Sequence, residues 1–77
     1  MDKYLQKYIA LNNINDIKGF VEQAICVNGD VLCKRGNYVV DGSSILGLLS
    51  INVADGFMCE YPADAENFEA YISQFEK

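Results

Sequence analysis

Residues 41–51 read DGSSILGLLSI: a turn-forming Asp-Gly and a serine pair run straight into five large aliphatic residues, broken only by Gly47 and Ser50. Asp-Gly ends a preceding strand in a tight turn. Ser43 or Ser44 then stands where a helix N-cap belongs. Leucine-rich Ile45, Leu46, Leu48 and Leu49 favour helix over strand, which predicts a helix across Ser44 to Ser50. So short a helix does not stand alone in water and must lie on another element. One face of it is then buried, and these four residues cannot all point inward. Most are core, and the remainder stay exposed.

Working outward, Ile14, Ile17, Phe20, Val21, Ala24 and Ile25 recur at the spacing of one helical face. Asn13 or Asn15 can cap that helix, Asp16 suits the positive end of its dipole, and Asn28-Gly29 supplies the stop. Asp30 to Arg35 and Tyr38 to Val40, separated by Gly36-Asn37, predict a β-hairpin. After the Asp55-Gly56 turn, Phe57, Cys59 and Tyr61 alternate with Met58 and Glu60 as in a half-buried strand. Pro62-Ala63-Asp64 then opens a last helix with Asp64 as N-cap. Phe68, Tyr71, Ile72 and Phe75 lie on one face of it. The N-terminal stretch is open on periodicity alone: Tyr4, Leu5, Tyr8 and Ile9 fit a helix, and Tyr8 to Leu11 fits a strand. With a strand there, the order is β-α-β-β-α-β-α. It predicts an α+β fold, an antiparallel four-stranded sheet with three helices on one face.

The 77 residues form a single domain, 1–77, with 51% hydrophobic residues and a net charge of −5. That charge offers no positive footprint for nucleic acid and suits partners with basic patches. No apolar run approaches the roughly 20 residues of a membrane span, and Met1-Asp2-Lys3 is not the start of a signal peptide. A cytoplasmic protein is expected. Cys26, Cys33 and Cys59 match no zinc or CxxC spacing and sit among apolar neighbours, which predicts three buried free thiols. The chain has no histidine. That removes the usual neutral-pH general base and the commonest metal ligand. No carboxylate or lysine constellation replaces it, so neither an enzyme nor a cofactor or metal site is expected.

The element order, the length and above all Ser44 to Ile51 resemble the HPr family, the phosphocarriers of the bacterial phosphoenolpyruvate-dependent sugar phosphotransferase system. That family carries a Ser-Ile-Met/Leu-Gly-Val/Leu-Met/Leu-Ser-Leu stretch at this place, and the resemblance implies an open-faced β-sandwich. The family's chemical site is a Gly-Ile/Leu-His-Ala-Arg-Pro-Ala segment at the start of the first helix. Counting back without gaps from Ser44 puts Asn13 at the histidine, Asn15 at the arginine and Asp16 at the proline. An amide does not accept a phosphoryl group as imidazole does. Asparagine for arginine loses a bidentate phosphate clamp, and an aspartate there repels phosphate. Sugar-transport phosphocarrier chemistry is therefore not expected.

The resemblance implies a different role for Ser44. In HPr proteins of many Gram-positive bacteria the matching serine is phosphorylated by an HPr kinase/phosphorylase. The phosphoserine form then acts with a transcription regulator in carbon catabolite repression. A histidine-less, catabolite-repression HPr-like type keeps that serine, and this sequence is similar to it in logic. By the same analogy Leu46 and Leu49, with Ile45, Asn13 and Asn15, would make a partner-binding face. The plainer alternative is that Ser44 is only an N-cap. Two other functions compete: an acyl-carrier-like protein with a modified serine in "GSSIL", nearly all helix, and a diverged HPr-fold binding module unrelated to sugar transport.

Overall fold

The computed structural model describes residues 3–77. Strand β1 (Tyr4–Ile9) is followed by helix α1 (Ile14–Ile25), the hairpin of β2 (Leu32–Arg35) and β3 (Tyr38–Asp41), and helix α2 (Ile45–Leu49). A single 3-10 turn (Val53–Asp55), β4 (Phe57–Pro62), α3 (Glu66–Ile72) and a closing 3-10 turn (Ser73–Phe75) complete the chain. The four strands form one antiparallel sheet in the order β1-β4-β2-β3. This is the expected α+β open-faced sandwich. The ambiguous N-terminal segment is a strand, paired along its whole length with β4 from Tyr4↔Pro62 to Ile9↔Phe57. A four-stranded sheet is incompatible with the nearly all-helical architecture of an acyl carrier protein, so that alternative falls.

The two faces of the sheet differ as strand alternation requires. One presents Ile9, Phe57, Cys59, Tyr61 and Cys33, all essentially inaccessible to solvent. Helix residues Ile17, Phe20, Ala24, Leu48, Phe68 and Ile72 close over them into one core. Phe20 is the hub, edge-on to Phe57 at 6.0 Å and to Phe68 at 5.6 Å. Tyr61 packs on Phe68 and places its hydroxyl at the rim, where it donates to Glu69 at 2.8 Å. The opposite face is uncovered. There Gln6 donates to Glu60 directly across the ladder at 3.0 Å, and Lys34 pairs with the same carboxylate at 3.2 Å.

The sheet edges are treated unequally. Along the outer edge of β1, Ala10 donates to the carbonyl of Phe75, Lys77 donates to that of Tyr8, and Ile9 bridges Glu76. Among the described residues, the outer edge of β3 has no such cover.

Three expectations need correction. Cys26 is exposed, because it caps the C-terminus of α1 beyond the last buried residue, Ala24. The buried stripe of α1 also stops short of its two end residues, and both Ile14 and Ile25 are exposed. Asp64 is not the cap of α3. The amide of Ala65 turns back to the carbonyl of Pro62 at 3.1 Å, so the helix begins a residue later, at Glu66, without a side-chain cap. No helix of the described residues is long and apolar enough to cross a membrane.

Candidate functional site

The start of α1 is held by two side chains acting in opposite directions. The amide of Asp16 donates to Oδ1 of Asn13 at 2.9 Å, and the amide of Asn12 donates to Oδ2 of Asp16 at 3.4 Å. This is a capping box displaced by one residue, since the returning carboxylate reaches the residue before the cap. Asn13 is the N-cap, in extended backbone conformation. Of the two candidates, Asn15 is thereby excluded, and it stands exposed within the first turn. The amide end of α1 thus already holds a carboxylate, the group that the helix dipole favours there. A second anion at this end would meet that negative charge.

The start of α2 distinguishes the two serines. Oδ1 of Asp41 accepts from both the amide and the hydroxyl of Ser43, at 2.9 and 2.7 Å. These two bonds hold the Asp41 carboxyl below its usual range. Ser43 is thereby engaged in the turn, and Ser44 is left to cap the helix, its Oγ accepting from the amide of Gly47 at 3.1 Å. At the other end the hydroxyl of Ser50 donates to the carbonyl of Gly47 at 2.6 Å. Gly47 is bare for a steric reason as well: a Cβ there would stand 3.2 Å from Cβ of Val40 on β3. Glycine lets α2 lie close on the edge strand. The role of Asp41 escaped the sequence reading, which treated it only as a turn former. Its signal was an acidic side chain two residues before a serine amide, the Asx-turn arrangement.

The aliphatic residues divide as one short helix on a sheet requires. Leu48 is wholly buried and Ile45 is half-buried against the core, whereas Leu46 and Leu49 are 77% and 55% exposed. The two exposed leucines are three residues apart and therefore neighbours on the helix surface. Tyr38, at the start of the edge strand under α2, is 70% exposed as well. α1 and α2 pack against one another, so the helix layer carries both capped N-termini, one with an amide and a carboxylate, the other with a hydroxyl beside exposed leucines.

The backbone arrangement decides what this chain is similar to. Over 94% of this chain and 92% of the other, it superposes on a crystal structure of HPr-C-His from Thermoanaerobacter tengcongensis with a TM-score of 0.74. The fold is that of HPr. A crystal structure of the phosphocarrier protein HPr from Bacillus anthracis str. Ames matches with a TM-score of 0.72 over 96% of this chain and 98% of that one. Both are 18% identical to it, so what is shared with HPr is the fold. No family model matches the chain, and no curated protein matches it at a significant level. In the HPr fold adopted here, Asn13 is the first-helix cap, and the chain offers no histidine to replace it.

Proposed function

We propose that this protein is an HPr-like regulatory or adaptor protein that binds other proteins through the exposed side of α2 and does not relay phosphate through a histidine. The observation that carries this is the exposure of Leu46 and Leu49 next to a capping hydroxyl, in a molecule whose buried leucine on the same helix shows that the core needed neither. Neighbouring exposed apolar side chains on a small protein mark an interaction site. Asn13, engaged as a cap, has no acceptor nitrogen for phosphoryl transfer, and Asp16 opposes phosphate at the same helix end. Ile45, half-buried, anchors the binding face, with Asn13 and Asn15 as polar members of it.

Ser44 is the phosphorylation candidate of this face. Phosphate there replaces one accepting hydroxyl with three acceptor oxygens and about −1.5 to −2 charges. A basic, apolar-lined partner surface would read that change, and an HPr kinase/phosphorylase and a transcription regulator are the partners the fold suggests. The protein is proposed to act in the cytoplasm, without a cofactor and without catalysing a reaction itself. Incubation with an HPr kinase/phosphorylase and ATP should add the mass of one phosphate, and Ser44→Ala should abolish the gain. An unchanged mass would remove the phosphoserine role and leave an adaptor. Charged substitutions at Leu46 and Leu49 should abolish binding to the regulator that recognises HPr-type proteins. Unaltered binding of the doubly substituted protein would overturn the docking face itself.

A further inference from the structure

Between the two central strands the sheet has a seam. β1 and β4 pair over six residues and β2 and β3 over four, but β2 meets β4 through only Leu32↔Glu60, Cys33↔Cys59 and Lys34↔Met58. On the open face the Lys34–Glu60 ion pair crosses this seam. On the helix face the middle pair is two cysteines, both wholly buried in the core. We propose that Cys33 and Cys59 are a cross-strand dithiol that closes to a disulfide on meeting a low-molecular-weight disulfide, stapling the β2–β3 half of the sheet to the β1–β4 half.

The register brings the two cysteines within reach of a disulfide. Directly opposed residues of an antiparallel ladder have Cα atoms about 4.5–5.5 Å apart, inside the about 4.4–6.8 Å that a disulfide spans. The two side chains point to the same face of the sheet, and the neighbouring Cys59 and burial together push the Cys33 thiol well up. A thiol so placed reacts slowly, because the thiolate is the nucleophile. Reaction therefore waits for the short seam to open locally. Once it opens, one cysteine thiolate attacks the small disulfide, forming a mixed disulfide and expelling one small thiolate. The second cysteine thiolate attacks the protein sulfur of that mixed disulfide and expels the other. Two cysteine thiols are oxidised, one small disulfide is reduced to two thiols, and the two cysteine protons end on those thiols. The closed loop, residues 33–59, contains β3, α2 and Ser44. The staple would thus fix the segment that carries the exposed leucines, whatever their partner.

The exposed Cys26 would form its own adducts, so the experiment uses Cys26→Ser in the full chain. Reduced protein is incubated with oxidised glutathione, with and without urea below the unfolding midpoint, quenched in acid and weighed. The expected product has lost the mass of two hydrogens and yields a peptide joining Cys33 to Cys59. It forms faster in urea, reverts with dithiothreitol, and has a higher thermal midpoint than the reduced protein, as a cross-link that constrains the unfolded chain requires. Failure to form that link under the urea condition, with glutathione adducts or free thiols alone, would overturn the proposal. So would a linked product that melts below the reduced protein.

Discussion

At the start of α1 the amide of Asp16 donates to Asn13 at 2.9 Å, and at the start of α2 the amide of Gly47 donates to Ser44 at 3.1 Å. Each helix solves the same problem, an unpaired amide three residues past the cap. The solutions leave different chemistry behind. Asn13 has a carboxylate folded back over it and carries nothing that accepts a phosphoryl group. Ser44 has no acidic residue in the turn that follows and keeps a hydroxyl oxygen at its tip. Both ends leave an aliphatic side chain exposed, Ile14 beside Asn13 at 48% and Leu46 beside Ser44 at 77%. One end holds a carboxylate, and the other carries a hydroxyl with no acid beside it. Two caps can therefore share one geometry while their side chains differ in chemistry, because the helix needs only an oxygen acceptor.

The largest expected effect lies under α2. Leu48→Ala should destabilise the fold by about 2–5 kcal/mol in urea denaturation, the cost of a cavity in a packed core. Leu46→Ala, two residues away, should stay within about 0.5 kcal/mol of the parent. If the two variants were equally destabilised, the division of α2 into an inner and an outer side would be wrong. The caps come next. Asn13→Ala and Ser44→Ala should each cost about 1 kcal/mol, and Ser44→Asp, which retains an acceptor, should cost less than Ser44→Ala. A silent Asn13→Ala would show that the cap of α1 is held by Asp16 alone.

The smallest effect is electrostatic and belongs to the open face of the sheet. The hydrogen bonds from Gln6 and Lys34 hold the Glu60 carboxyl below its ordinary value of 4.5. A folded-state value below the unfolded one means that the carboxylate form favours folding. Its contribution is complete above about pH 4.5 and is lost as the pH falls through the lower folded value. Glu60→Gln should therefore lower stability slightly at neutral pH and converge with the parent as the pH falls, which flattens the acid limb of a stability-against-pH curve. An acid limb identical to the parent's would show that the Gln6–Glu60–Lys34 ladder contributes nothing. Asp41, held low by Ser43, should add to the same acid limb below its ordinary value of 3.8.

Most of the fold could be read from residue patterns because those patterns have single physical causes. The alternation of Phe57, Cys59 and Tyr61 follows from one buried sheet face. The stripe of Ile17, Phe20 and Ala24 follows from one buried helix face. Caps at Ser43 or Ser44 and at Asn13 or Asn15 were legible because few side chains can reach a helix amide, and the hydrogen bonds chose Ser44 and Asn13. What could not be read depends on how long each element is relative to what covers it. Ile14, Ile25 and Cys26 have the right spacing or apolar neighbours, but lie at the ends of α1, outside the buried stripe. Asp64 failed as a cap because the turn after Pro62 sets where α3 can start. The exposure of Leu46 and Leu49 was not decided by periodicity, which says only that some leucine of α2 must face out. The choice came from resemblance to HPr. The Cys33–Cys59 pairing needed strand register, which connects residues far apart in the chain and leaves no local trace.

The unequal edges of the sheet limit how copies of the molecule could join. A sheet with two open edges can grow at both, and strand-on-strand contact then propagates into a fibre. Here Phe75 to Lys77 hydrogen-bond along the Tyr8–Ala10 end of β1, whereas the outer edge of β3 has no such cover among the described residues. Phe75 to Lys77 therefore shorten the stretch of β1 on which another strand could add.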